Sequence, residues 1–450
     1  MSWHVPFTVS GPVPMRPSTF RTPDPLHPHG RLLPRLLLCL LLAWPGAAGA
    51  QGLPQGEPAA LGLAPDRLER LDRAFESYVE RQAIPGAVIL VARHGQAAYL
   101  RAFGLRDRET GDAMATDDIF RIASQTKALV SVGAMILQEE GRLLIGDPVS
   151  ACIPAFARTT VARAREDGGF DVVPADRPMT IRDLLTHTAG IGYGYGPARE
   201  LWAEAGTQGW YFAHRDEPIG HTIDRMAALP MDAQPGERFV YGYSTDILGV
   251  VIERASGQSL DDFLRSRILE PLGMQDTFFF LPPDRRNRLA TVYMRTDSTG
   301  LRRAPDEGTM ESQGAYVDGP RRSFSGGAGL VSTADDYARF LQMLLNGGDL
   351  DGQRILSPKS VQLMTTDHLG DRYDQAGVGF GLGFSVVEDV GLRGVPGSVG
   401  EYGWGGAYHS TYWVDPAENL VVVYLTQVIP ARFLDDMDRL RALVYQSIIE

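Results

Sequence analysis

Apolar positions follow two regimes along this chain, helical spacing in the middle and strand-like runs at both ends. Leu68, Leu71, Phe75 and Val79 recur at helical intervals and predict a helix over 65–82. Ala87 to Arg93 is a β-rich run, His94-Gly95 reads as a turn, and Ala97 to Phe103 supplies the antiparallel partner. A second helical pattern opens at Ser124 and continues to about Gly141 through Leu129, Val130, Met135, Ile136 and Leu137. Residues 142–235 mix loops with short helices, and the Gly- and Tyr-rich run 192–196 reads as an irregular loop. Helices follow from Ser244 through Ile252 and from Ser259 to Ile268. Residues 282–325 are polar and loop-like, and Ser332 to Asp336 reads as the N-cap of a helix to Leu345. The last quarter turns strand-like at Gly379 to Val387, Tyr408 to Val414 and Leu420 to Thr426, before a final helix over 432–449.

Strands at both ends with helices between them predict an α/β (α+β) fold. One antiparallel sheet is expected from both termini, flanked by terminal helices, with a mostly helical lobe inserted. The sheet lobe is expected over about 65–120 and 370–450, the helical lobe over about 121–369, and 51–64 as a Pro- and Gly-containing linker.

The first fifty residues stand apart. Arg31 and Arg35, the run Leu36 to Trp44, and the small residues up to Ala50 form a basic segment, a short apolar segment and a cleavage site. The apolar run is too short to span a bilayer. Export to the periplasm or medium is the expectation, with cleavage near Ala50 and Met15 as an alternative start to Met1. A disordered tail is the plainer reading of the same residues. Of the two cysteines, Cys39 and Cys152, only Cys152 remains after cleavage, so no internal disulfide is expected. A net charge of −12 argues against nucleic acid as a partner. No phosphate loop, His-Glu-x-x-His or EF-hand pattern occurs, so neither a cofactor nor a metal is expected.

Within Ser124-Gln125-Thr126-Lys127, helical periodicity places a hydroxyl and an amine on one face. A serine needs a base within hydrogen-bond reach to act as a nucleophile. A lysine amine can serve, whereas an arginine cannot be deprotonated in a protein. The chain has 43 Lys plus Arg but only two lysines, Lys127 and Lys359, so the choice at 127 carries information. Spacing alone is weak, since Ser-x-x-Lys arises by chance on many solvated helices. The apolar run that follows Lys127 adds that the pair sits on a helix dipping into a core.

Further segments converge with this one. Tyr241-Gly242-Tyr243 follows Pro235-Gly236 and Phe239 and precedes Leu248-Gly249. Trp404-Gly405-Gly406 lies near the end, with Leu184 to Thr188 and Gly327 to Leu330 between. This ordered set, over about 60–450, resembles the serine β-lactamase and penicillin-recognising superfamily, especially its class C branch and the related carboxylesterases. The resemblance implies a β-lactamase/transpeptidase-like fold and an acyl-enzyme on Ser124. Lys127 and Tyr241 are implied to share the base role, with the N–H groups of Ser124 and Ala407 as the oxyanion hole. Tyr243, Trp404, Gly405, Gly406 and His409 are the implied substrate-binding residues.

Two departures shift the expected substrate. Tyr243 stands where lactamases carry Asn, and Trp404 where they carry the lysine that binds a carboxylate. A small-molecule ester with a small or apolar acyl group therefore fits better than a penicillin. The expectation is a carboxylesterase or transesterase, with a class C-like β-lactamase or DD-peptidase as the alternative. A non-catalytic binding or sensor protein on the same scaffold is the third reading, and retention of Ser124, Lys127 and Tyr241 disfavours it. Taken singly, Tyr241 and Tyr243 could be core tyrosines, Trp404 could be packing between sheet and lobe, and Trp413 is a further aromatic for the pocket. His187, four residues after Asp183 at a helix end, reads as a structural cap or hydrogen bond rather than a base. A Ser-His-Asp hydrolase needs a Gly-x-Ser-x-Gly elbow, and none occurs.

Overall fold

Every residue of Gly86–Arg93 (β1) is buried, because the strand has a helical layer on each face. That is why it reads as a continuous apolar run and not an alternation. The structure, a computed structural model, describes residues 52–296 and 300–450. The expected export segment, 1–50, lies outside the described residues.

β1 belongs to an eight-stranded sheet with Gln96–Asp107 (β2), Asp112–Ala113 (β3), Val378–Phe380 (β4), Ser385–Val387 (β5), Tyr402–Gly406 (β6), Ser410–Asp415 (β7) and Leu420–Leu425 (β8). Its order is β4-β5-β6-β7-β8-β1-β2-β3, and its named pairings are antiparallel. The N-terminal hairpin therefore lies against the strand of this sheet that comes latest in the chain, with Val88 opposite Leu425 and Arg93 opposite Leu420. The expected sheet from both termini is present.

The main helices are Pro65–Glu80 (α1), Thr126–Glu139 (α2), Ser244–Ser256 (α3), Ala334–Leu345 (α4) and Asp436–Tyr445 (α5). Period-two alternation sorts the central strands between them. Val88, Leu90, Val421 and Val423 point into the large core shared with α2, α3 and α4. Ile89, Val91, Leu420 and Val422 pack beneath α1 and α5. In α1 the buried face is Leu68, Leu71, Phe75 and Tyr78, so Tyr78 takes the place expected for Val79. Thr333 caps α4 by accepting from the Asp336 N–H, as its sequence suggests.

Several expectations are corrected. Residues 52–64 are no loose linker: Leu53, Leu61 and Leu63 are buried, and Leu63 bridges to Ile448. Gly379 to Val387 is split into β4 and β5 by a turn where Gly383 has φ +98°. A Cβ at Gly383 would stand 2.3 Å from the Ser131 hydroxyl, so the turn needs glycine on both counts. The lobe contains an unexpected hairpin, Thr160–Ala164 with Phe170–Pro174. The final helix is α5 alone, shorter than 432–449. Among the described residues no helix is long and apolar enough to cross a membrane, and no cluster of acidic, His and Cys side chains could hold a metal.

Phe75 is completely buried against Tyr78, Phe103 and Tyr424, with centroids 5.5–5.7 Å away. Phe75→Ala is expected to remove about 3–5 kcal/mol of stability, read as a lower urea midpoint.

Candidate active site

Ser124 stands where a strand is forced abruptly into a helix. Phe120–Arg121 pairs with Val331–Ser332, and the Ile122 N–H continues the ladder to the Leu330 carbonyl at 3.1 Å. Ala123 then adopts φ +42°, a left-handed conformation that a residue with a Cβ resists. The chain turns there into a single 3₁₀ turn, Ala123–Gln125, and α2 begins at Thr126. Ser124 therefore stands two residues ahead of the helix, not inside it as its spacing suggests. Its own N–H belongs to a helical first turn, where no preceding carbonyl can accept it.

Lys127 is 2% exposed, and its Nζ donates to Ser124 Oγ at 3.2 Å, to the Gly327 carbonyl at 2.6 Å and to the Tyr193 hydroxyl at 3.3 Å. Three acceptors match the three donors of an ammonium group. Its charge also lies 4.8 Å from the centroid of the Tyr241 ring. The Gly327 carbonyl is held in place by Asp246, in the first turn of α3. One oxygen of Asp246 accepts from the Ser325 hydroxyl at 2.6 Å and the Gly327 N–H at 3.0 Å, and the other has no partner. Burial pushes the Asp246 carboxyl upward, and the nearby Lys127 charge opposes that shift.

Tyr241 faces the pair from the loop before α3. Its hydroxyl accepts a hydrogen bond from Trp404 Nε1 at 3.0 Å, and its ring contacts Trp404 at 5.4 Å and His187 at 4.7 Å. Tyr193 meets Tyr241 edge-on at 5.8 Å. Burial, followed by the neighbouring Tyr241, pushes the Tyr193 phenol far above its ordinary range, so it stays protonated. Gly242 brings the two loops together: a Cβ there would lie 2.4 Å from the Gly192 backbone.

Across a cleft of about 610 Å³, the opposite wall is Trp404, Gly405, Gly406 and Ala407, at the end of β6. Gly406 rests directly on the Ser124 turn, since a Cβ would stand 2.5 Å from the Ile122 carbonyl. Trp210 adds another aromatic wall. At the far end, Arg393 and Arg441 both bind Glu401, at 2.9 Å and 2.7–2.8 Å, and the Tyr445 hydroxyl also donates to it. Both arginines are thus tied to one buried carboxylate, which offsets one of their two charges.

Seven expected residues meet at this cleft: Ser124, Lys127, Tyr241, Trp404, Gly405, Gly406 and Ala407. Tyr243 does not. It is fully buried, stacks on Trp202, and donates to the Gly209 carbonyl at 2.6 Å, so it braces the lobe from behind. His409 is also absent from the wall, because its ring turns toward α5 and bonds Asp436 at 2.7 Å. Trp413 lies at the far end, beneath the Arg441 guanidinium at 4.4 Å. His187 is buried against Tyr241 and Phe380, with its Nδ1 unpartnered; burial and then the Lys127 charge hold it well below its usual range, hence neutral. Asp183 caps its own helix with Thr180 and pairs Arg177, so no Asp-His relay forms. Tyr193 and Asp246 were missed. The only signal for Tyr193 was its glycine-flanked loop, and an acid early in a helix resembles any capping residue.

Comparison with known proteins follows the same outline. The family model described as Beta-lactamase matches residues 71–446. The chain is 33% identical to Esterase EstB of Burkholderia gladioli over 389 residues, covering 82% of this chain and 93% of that one. Among solved structures, EstCE1, titled a hydrolase with promiscuous acyltransferase activity, superposes with a TM-score of 0.74 at 29% identity, over 84% of this chain and 99% of that one. Simvastatin synthase (LovD) of Aspergillus terreus gives 0.71 at 25% identity, over 85% and 98%.

Asp246→Ala strands two buried donors, the Ser325 hydroxyl and the Gly327 N–H, and should cost about 2–4 kcal/mol in urea unfolding. Asp246→Asn keeps an acceptor and should lose less than half of that.

Proposed function

The chain belongs to the beta-lactamase family, and from that premise we propose a carboxylesterase or transesterase that forms its acyl-enzyme on Ser124. The observation that carries this reading is the Ser124 Oγ–Lys127 Nζ contact of 3.2 Å, made in a cleft whose facing wall is Trp404. Ser124 Oγ attacks the ester carbonyl carbon, and its proton passes to the lone pair of Lys127 in its neutral amine form or to Tyr241 in its phenolate form. The carbonyl oxygen becomes an oxyanion between the N–H groups of Ser124 and Ala407, each such donor being worth about 3 kcal/mol in the transition state. As the C–O bond breaks, the same proton goes to the departing alkoxide and the alcohol leaves. Water then gives hydrolysis and a second alcohol gives transesterification, with the Lys127–Tyr241 pair taking the incoming proton and returning it to Ser124.

Preference for neutral acyl groups rests on the walls. Trp404, Trp210 and Tyr193 present aromatic faces, and the arginines at the far end are committed to Glu401. A carboxylate-bearing lactam finds no free cation among the described lining residues. EstB, an esterase by name, supports an ester over an amide, and the acyltransferase activity of EstCE1 supports acyl transfer beside hydrolysis. The basic and apolar segments before Ala50 support export to the periplasm or medium, which leaves Cys152 as the lone cysteine.

Parallel rates on p-nitrophenyl acetate, p-nitrophenyl butyrate and nitrocefin test the reading. Ester turnover should exceed nitrocefin turnover by at least about 10³-fold and vanish in Ser124→Ala, with Tyr241→Phe lowering kcat by about 10²–10⁴. Fast nitrocefin turnover, or ester turnover surviving in Ser124→Ala, contradicts it.

A further inference from the structure

The turn Ala407-Tyr408-His409, between β6 and β7, is anchored on three sides. Gly406 rests on the Ile122 carbonyl. Tyr408 is fully buried among Ala123, Ala328 and Ile429, meets Trp210 edge-on at 5.8 Å, and its carbonyl accepts from Val428 at 3.1 Å. The third anchor is His409. Its backbone stands at φ +65°, and its N–H closes the turn onto the Gly406 carbonyl at 3.0 Å. Ala123 and His409, left-handed residues that are not glycine, thus flank the two N–H groups assigned to the oxyanion.

A left-handed histidine carries a backbone cost that its surroundings must offset. Here the holder is Asp436, which is completely buried in the first turn of α5. One of its oxygens takes the imidazole Nε2–H at 2.7 Å, and the other takes the Tyr424 hydroxyl from β8. The amides of a helix first turn favour a carboxylate at that position. A charge-assisted bond to a fixed, buried acceptor outweighs the backbone preference of a single residue. The side-chain tie therefore adds to the backbone anchors in fixing the turn's conformation, and through it the direction of the Ala407 N–H two residues away.

We propose that His409, held by Asp436, is a positioning residue that fixes the Ala407 N–H for the developing oxyanion. The proposal rests on the assignment of Ser124 as nucleophile and of Ala407 as a donor. Because misplacing an oxyanion donor costs transition-state and not ground-state binding, its effect falls on kcat.

The test uses p-nitrophenyl butyrate turnover and the affinity of a boronic acid, which forms an oxyanion-like adduct on serine. His409→Ala should lower kcat about tenfold to hundredfold with KM within about twofold, and weaken the boronic acid by the same factor. Butyrate, a product analogue without the tetrahedral centre, should bind unchanged. His409→Gly should be as slow as His409→Ala, although glycine adopts positive φ freely. His409→Gln, which keeps an N–H donor, should recover part of the rate, and it carries the test if the smaller variants do not fold. Wild-type kcat in His409→Ala, full recovery in His409→Gly, or a loss confined to KM overturns the proposal. Ester turnover surviving in Ser124→Ala overturns the nucleophile assignment and this proposal with it. A dead Ser124→Ala beside unaffected His409 variants overturns this proposal alone.

Discussion

Lys127 carries an amino group to a place where water cannot solvate it, and the surrounding structure has to supply its acceptors. A buried ammonium without partners costs several kcal/mol, so this requirement constrains distant parts of the chain together. The 3₁₀ turn brings Ser124, the 192–196 loop brings Tyr193, and the 326–329 segment brings the Gly327 carbonyl. Asp246 holds that last segment, and its buried carboxyl is close enough to interact with the Lys127 charge. Satisfying the lysine and assembling the nucleophile are one act of folding. The hydroxyl that completes the lysine's set of acceptors is the one whose proton the neutral amine would take in the proposed reaction.

The sheet contributes the other half of the site. β6 ends in Gly405-Gly406-Ala407, and the missing side chain at Gly406 lets this edge touch the Ile122 carbonyl. Ser124 and Ala407, from two separate elements, thereby line one cleft, and the proposed oxyanion donors are their backbone N–H groups. Such preorganisation is what a transition-state oxyanion needs, because the dipoles need not reorient as charge develops. Trp404 then does two things on the same strand. Its indole donates to the Tyr241 hydroxyl, and its ring lines the cleft wall.

What could be read in advance was whatever short-range periodicity or an ordered motif set encodes. Ser124 and Lys127 are three residues apart, so one helical turn is enough to bring them together. The unbroken apolar run of β1 announces a strand covered on both faces. Tyr193 could not be placed, since its contact with Lys127 depends on how a remote loop folds back. Tyr243 and His409 depart from expectation for one reason: adjacency to a motif does not impose its direction. Tyr243 ends a loop at the start of α3 and points behind the cleft, while His409 sits in a left-handed turn that sends its ring to the opposite face of the sheet. The 52–64 segment looked like a linker by its Pro and Gly content, although Leu53, Leu61 and Leu63 were the residues that mattered.

The most direct test of the central claim is to trap the intermediate. The protein turning over p-nitrophenyl butyrate is quenched in acid, digested, and its peptides are weighed by mass spectrometry. The account predicts one butyryl group on the peptide containing Ser124, absent from Ser124→Ala and accumulating when Tyr241 is changed to Phe. A butyryl group on any other residue, or ester turnover with no acylated peptide in either protein, would contradict it.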